Sequence, residues 1–497
     1  MAACCFSDLY QWIQTLQPIS EWKSDSFSIC IVSSATSAHP SLNLSVSKAK
    51  RETIAFSIVG DYKIGLSLWT SRSIPVNSKE NNLANRNVIS LLLMNVIQDV
   101  IGYASYKSGY PAKFPALEPG NGELKEIFNY AFLSLTFLIC IYEAPTDLRS
   151  GECLGAIHAQ MTGCPLSEAS KSLVKLLGVS MEERWMRSMN LAMTNWIVEL
   201  QANNNSSITP SPLFSYSLSR VGLWKIQLYC PVIAMESSSS SSVTPDDKLS
   251  FSLKYHQIEG VIQLVYKITA QEKWIDVAVR IENVRFDVVR LLNEGLMKER
   301  GAGTEEKHFP SRVSLHITPI QQTNVISLSV GKSSENPTTE IGLEKAIETS
   351  FEPPKPYIGI NISASETVSV SLKPWKFEES VSGCTSMFNW FLHDNVNGRE
   401  VASSKPSLRS LISPRAWFKS RYSSAHRPFT RQGGVIFAGD EYGDTVRWRM
   451  EKNMLGETLE WEIKGIVWLT YWPNRRKTLY TDTKKLQFRE TVTLTVA

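Results

Sequence analysis

The sequence has no apolar run of the roughly 20 residues that a membrane-spanning helix needs. Its longest apolar stretch, residues 128–142, is closed off by Glu126 and Glu143, a length that fits a buried core helix. Glycine and proline are scarce, at 26 and 23 residues, which excludes a collagen-like or low-complexity chain. The first residues carry neither a basic n-region nor an apolar h-region. Asp8, Glu21 and Asp25 are acids that an organellar transit peptide lacks, so the expected location is cytoplasmic or nuclear. Eight cysteines, at 4, 5, 30, 140, 153, 164, 230 and 384, are spread too thinly for a disulfide scaffold and read as reduced core residues. No repeat of fixed period occurs, so a solenoid is not expected.

The signatures of common chemistries are missing as well. No Gly-x-Ser-x-Gly elbow is present. Gly301-Ala302-Gly303 lacks the third glycine of a dinucleotide loop, and Gly331-Lys332-Ser333 has Ile326 where a P-loop needs glycine. The seven histidines (39, 158, 256, 308, 316, 393 and 426) form no close pair of the zinc-protease type. Cys153, His158 and Cys164 fall close together but have no evident fourth ligand. His393 and Asp394 are adjacent, and neighbours on a strand point to opposite faces. No metal and no cofactor is expected.

What is present is a change of period along the chain. Residues 6–75 mix a short amphipathic start with strand-like runs, of which Leu42, Leu44 and Val46 alternate with polar residues. From about 85 to 204 the spacing becomes helical, with helices predicted at 87–106, 123–143, 166–178 and 181–203. Gly178 is placed to close one of them. Trp185, Met189, Ala192, Met193 and Trp196 form a stripe that reads as core packing rather than a cofactor cage. The polar run 201–212 marks a boundary. Beyond it, strand patterns continue almost to the end, including 249–256, 259–269, 273–286, 312–319, 458–471 and 485–496, with a helix at about 288–300. The predicted class is α+β: a mixed region at 1–205 with several helices, then a large antiparallel β region at 206–497. That β region makes one or two β-sandwich-like units, with a division near 335–355 left open. The serine-rich stretch 236–248 reads as a disordered loop.

Several phrases of the second part are familiar as a set. They include 212–217 (PLFSYS), 222–231 (GLWKIQLYCP), 307–312 (KHFPSR), 372–378 (LKPWKFE), 389–394 (NWFLHD) and 468–474 (WLTYWPN). Together they resemble a family of land-plant proteins, most closely over about 190–497. The resemblance implies a plant source and carries no activity across.

The overall charge is only +4, yet it is unevenly placed. Residues 373–497 hold 20 Lys and Arg against 13 Asp and Glu, a net +7, which leaves −3 for the rest. Between Glu400 and Asp440 there is no acid at all. Lys405, Arg409, Arg415, Lys419, Arg421, Arg427 and Arg431 fill that interval, interleaved with Trp417, Phe418, Tyr422, His426 and Phe429. A second basic cluster follows at Arg475-Arg476-Lys477. Arginine forks suit oxyanions and aromatic planes suit stacking. The expected function is therefore a non-enzymatic binding or scaffolding protein that contacts its partner through the basic, aromatic loop 405–431. Arg415, Trp417, Lys419, Arg421, Tyr422, Arg427 and Arg431 are the contact residues. The partner expected is a protein, with anionic lipid or nucleic acid as alternatives and no transmembrane span. The same composition also suits a loop lying over the β core. An enzymatic rival is a carbohydrate-active protein with carboxylates among Asp440, Glu441 and Glu460, since glycosidases set two carboxyl groups across a sugar bond.

Overall fold

The computed structural model describes residues 7–33, 40–49, 53–76, 83, 85–103, 123–145, 152–163, 166–202, 213–237, 246–300, 307–330, 339–345, 366–372, 375–392, 435–438, 446–471 and 482–496. The period-2 patterns near the N-terminus become an antiparallel sheet. Its strands are β1 (Ser26–Val32), β2 (Leu42–Ala49), β3 (Thr53–Gly60) and β4 (Leu66–Thr70), ordered as in the chain, with the short β5 (Ile74–Pro75) beside β3. Leu42, Leu44 and Val46 of β2 and Ile54, Phe56 and Ile58 of β3 are buried on one face.

That face is covered by helices: α1 (Leu9–Thr15), α2 (Arg86–Gly102), α3 (Leu124–Tyr142), α4 (Glu152–Thr162), α5 (Leu166–Leu177) and α6 (Val179–Ala202). The Asp8 side chain caps α1 by accepting from the Gln11 amide, and it also takes a hydrogen bond from Asn129 on α3. α3 is apolar all round because it is the central helix, touching α1, α2, α4, α5 and α6. By length and composition it alone among the described helices could cross a membrane, and 89% of that stretch is buried inside the fold. Gly178, at φ 76°, ends α5 in the left-handed region that side chains avoid. The Trp185, Met189 and Trp196 stripe lies in this core, as packing requires.

The second part is a sandwich of two antiparallel sheets. Strands β6 (Phe214–Arg220), β7 (Leu223–Pro231), β8 (Glu236–Ser237), β9 (His256–Ala270) and β10 (Trp274–Arg290) come first. β11 (Phe309–Pro319), β12 (Val325–Val330), the paired ribbon β13 (Thr339–Lys345) and β14 (Glu366–Leu372), β15 (Trp375–Ser382) and β16 (Thr385–Leu392) follow. β17 (Val435–Ala438), β18 (Val446–Glu451), β19 (Thr458–Tyr471) and β20 (Asp482–Thr495) complete it. One sheet has the order β12-β18-β10-β9-β7-β6, with β17 also on β10; the other is β15-β16-β11-β19-β20-β8. Both contribute to one hydrophobic cluster. Trp224, Trp448 and Trp461 meet inside it, with Trp461 lying 4.6 Å from Trp448 and 5.7 Å from Trp224. Glycine at 465 makes room for the Phe488 ring on the facing strand, which a Cβ would overlap.

The exposed backbone of edge strand β20 is satisfied by side chains. Ser217 Oγ donates to the Thr491 carbonyl at 2.7 Å, Trp224 Nε1 donates to the Thr493 carbonyl at 2.8 Å, and the Thr493 amide donates to Ser219 Oγ at 2.9 Å. The alternating serines of β6 thus close one side of the sandwich, removing an open edge that would otherwise pair with other chains.

Two expectations needed correction. The strand expected over 249–256 is not formed over 249–254: α7 (Asp247–Lys254) stands there, capped by the Asp246 side chain accepting from the Lys248 amide, and β9 begins only at His256. Leu249 and Leu253 sit one helical turn apart and bury against Tyr471. The helix expected over 288–300 is shorter. β10 runs on to Arg290, and α8 (Glu294–Glu299) starts only after Asn293 caps the Leu296 amide. α4 was not anticipated at all.

Candidate functional site

The registers of the six-stranded sheet place five strand ends together. Trp375 pairs with Leu392, Phe309 with Thr470, and Tyr471 with Asp482. β16 therefore leaves the sheet at the same end as β19, and β20 returns there. Residues 393–434 connect that end to β17 in the other sheet, while 472–481 connect β19 to β20. Both basic clusters noted in the sequence belong to these two intervals. Arg415, Trp417, Lys419, Arg421, Tyr422, Arg427 and Arg431 lie outside the described residues, as do Asp440, Glu441 and the His393-Asp394 pair.

One row in from this end is a cation held between two aromatic rings. Arg312 on β11 is paired in register with Phe391 on one side and Trp468 on the other. Its guanidinium carbon sits 4.7 Å from the Phe391 ring centre and 4.6 Å from that of Trp468. Each such contact is worth about 0.5–2 kcal/mol, depending on desolvation. The row continues to Lys376 beyond Phe391 and Lys485 beyond Trp468, then ends at Glu236 on β8. All three clamp residues are partly exposed. The guanidinium faces are occupied, and Nε of Arg312 is buried with no hydrogen-bond partner among the described residues.

On the core side of the same end lies a buried polar cluster. Nε2 of His308 is 3.2 Å from Asp482, and Ser237 Oγ donates to the other carboxylate oxygen at 3.1 Å. Burial pushes the Asp482 carboxyl up, but its hydrogen bond with His308, the charge of Lys484 and the Ser237 hydroxyl outweigh that and hold it below the ordinary range. Burial holds the His308 ring below its ordinary value against the pull of Asp482. A neutral His308 facing an ionised Asp482 must carry its proton on Nε2, which leaves Nδ1 without a donor among the described residues. His256 packs edge-on at 6.2 Å, fully buried, with both ring nitrogens unpartnered among the described residues and its pKa pushed well down by burial. The constellation lacks the contact a nucleophile needs. Ser237 donates to the aspartate rather than to the imidazole.

The remaining chemical candidates resolve into packing and surface pairs. Glu460 is exposed on β19, and Glu462 on the same face is ion-paired with Lys464 at 2.6 Å and Arg489 at 3.0 Å. Cys153 and His158 are buried on α4. The Cys153 thiol points to the Pro40 carbonyl, and the His158 ring lies 4.9 Å from Trp196. Cys164 lies outside the described residues. Among the described residues no three His, Cys, Asp or Glu side chains converge as a metal site.

A polar seam joins the helices to the sandwich. Glu182 of α6, 3% exposed, accepts 2.8 Å hydrogen bonds from the hydroxyls of Tyr216 on β6 and Tyr229 on β7. Burial raises its pKa, and the two hydroxyls oppose that. One turn further along α6, Arg187 donates to both oxygens of Glu259 on β9, at 2.9 and 3.2 Å. Gln257 donates to Glu259, and Asn190 donates to Gln257 at 2.6 Å. No local pattern announces this seam, because its partners stand 34 to 72 residues apart.

No family model matches the chain, and no curated protein matches it. Among solved structures it is similar to the Clostridium perfringens delta-toxin, at 9% identity over 57% of this chain and 92% of that one, with a TM-score of 0.22. A structure described as a pore forming protein is similar at 8% identity, over 56% of this chain and 89% of that one, with a TM-score of 0.19. Superposition this loose carries no argument about function.

Proposed function

We propose that the chain is a non-enzymatic binding or scaffolding protein whose contact surface is the basic, aromatic interval 405–431, seconded by Arg475, Arg476 and Lys477. The observation that supports this is topological: the two basic intervals leave from one end of one sheet. Both intervals are thereby anchored at strand ends that share one end of the six-stranded sheet. An acidic protein surface is the partner such basic intervals fit, since opposed charge steers encounter and fixes orientation. The carbohydrate-active alternative draws less support. Glu460 stands on an exposed strand face beside an ion-paired Glu462, whereas glycosidic chemistry needs two carboxyl groups facing each other across an enclosed bond. Cross-linking of the full chain to its captured partner, read by mass spectrometry, tests the proposal. Cross-links should map to Lys405, Lys419 or Lys477; a map confined to the helical part would refute it.

A further inference from the structure

One side of the sandwich is closed by side chains, where Ser217, Ser219 and Trp224 tie β6 and β7 to β20. On the opposite side the two sheets end in β12 and β15, which lie next to each other. Edge strands are kept from pairing with other chains by charge, proline or bulges. β15 carries Lys376, Glu378 and Glu379. β12 has no charged residue, no proline and no glycine. Among the described residues no strand pairs with its outer edge. A bulge at Ile326 leaves that side chain 56% exposed, and from Ser327 to Val330 the strand runs in regular register with β18.

We infer that β12 is a self-association edge: two copies of this chain pair through it, antiparallel, about a two-fold axis at Leu328, and their seven-stranded sheets become continuous. The argument rests on the order of the residues. Ile326-Ser327-Leu328-Ser329-Val330 reads nearly the same in both directions, apolar, Ser, Leu, Ser, apolar. A two-fold axis at Leu328 sets Ser327 against Ser329 of the second copy, Ile326 against Val330, and Leu328 against its own copy. Leu328 and Val330 stand opposite the buried Trp448 and Val446 of β18, whereas Ser327 and Ser329 stand opposite the exposed Arg449 and Arg447. This register therefore keeps apolar side chains on the core face and hydroxyls on the outer face of both copies. An axis one residue earlier, at Ser327, sets Ser329 against Val325 and loses that match.

The arginines of β18 do not forbid the pairing. Across the axis, Arg447 and Ser329 of one copy and Ser327 and Arg449 of the other occupy four adjacent strands. At about 4.8 Å per strand the two cations are about 14 Å apart, which exceeds the screening length of about 8 Å in physiological salt. Arg449 is also ion-paired with Asp276 of its own chain at 3.4 Å. A strand of any other protein would need only an uncharged edge; the mirror order of residues is what points to a second copy. Backbone hydrogen bonds supply most of such a contact, and so short an edge lies at the small end of interfaces, below about 1,200 Å², so the dimer is weak and reversible.

Sedimentation equilibrium of the full chain, at concentrations up to about 100 µM, tests this. Wild type should show a monomer–dimer equilibrium, and hydrogen exchange at 327–330 should slow as concentration rises. Ser327→Lys with Ser329→Lys sets cation against cation across the axis and should weaken the dimer about tenfold, the effect of two like-charge pairs. Ser327→Glu with Ser329→Glu, mixed in equal amounts with the lysine variant, should restore the dimer through mixed pairs, a recovery that a misfolded lysine variant would not give. A wild type that stays monomeric, with or without binding an added strand peptide, would overturn the inference. So would a dimer indifferent to the lysine substitutions, or a mixture with no more dimer than the lysine variant alone. Slow exchange at 327–330 that does not depend on concentration would also overturn it, since the edge would then be covered within one chain.

Discussion

Replacing Glu182 with alanine should loosen the join between the helical part and the sandwich. The carboxylate is 3% exposed and accepts from two tyrosine hydroxyls at 2.8 Å. Removing it leaves the Tyr216 and Tyr229 hydroxyls in a buried place without an acceptor. Each orphaned donor costs about 1–3 kcal/mol, and relief from burying a carboxylate returns part of that. The net loss expected is about 2–4 kcal/mol. Glu182→Gln, which keeps an acceptor and loses the charge, should cost less than half as much. Replacing all three residues, as Glu182→Leu with Tyr216→Phe and Tyr229→Phe, should recover most of the loss, the remainder reflecting the buried Gln227 amide, which donates to the Tyr229 hydroxyl at 3.3 Å. The pH dependence has a definite sign. Burial raises the folded carboxyl above its unfolded value, so its contribution is fully present below about pH 4.5 and falls as pH rises through the folded value. The gap between wild type and Glu182→Ala should therefore be wider at pH 5 than at pH 7.5. Urea unfolding followed by tryptophan fluorescence measures this, with Trp185 one turn away on the same helix. An alanine variant as stable as wild type would refute the reasoning, as would a gap that widens toward alkaline pH.

Two further predictions concern stability. Burial pushes the His158 ring down to about 4 from 6.5, so its contribution is complete above pH 6.5 and is lost as pH falls toward 4, by about 3 kcal/mol in full. His158→Phe, placed between Trp196 and Phe137, should flatten the stability curve over that interval; an unchanged slope between pH 6.5 and 4 would count against the assignment. Gly465→Ala should cost about 1–3 kcal/mol, because the new Cβ overlaps the buried Phe488 ring. Adding Phe488→Leu should recover part of that loss, and a double-mutant cycle with no coupling between the two sites would contradict the packing.

Much of the fold was legible in the sequence, and the site was not. Helices such as Leu166–Leu177 and Val179–Ala202 announce themselves because three- and four-residue spacing and a closing glycine agree with their final burial. The strand at 458–471 was equally plain, since Leu459, Trp461 and Ile463 alternate with Glu460, Glu462 and Lys464. Residues 249–254 misled because Leu249, Phe251 and Leu253 also alternate; the decisive term was the Asp246 cap, which favours a helix whose Leu249 and Leu253 share a face. The clamp and the histidine cluster have no local signature. Arg312, Phe391 and Trp468 meet only through strand register, as do His256, His308 and Asp482. Register depends on pairings between segments far apart in the chain, and no window of sequence contains it.

The central claim, that the chain works by binding through its basic, aromatic interval 405–431, is tested most directly by one comparison. Wild type and a variant with Arg415, Lys419, Arg421 and Arg427 all changed to alanine are matched in melting temperature and used side by side to capture partners from cell extract, with the captured proteins quantified. Loss of the partner set from the variant is the result predicted. Capture of the same partners in the same amounts would contradict the account.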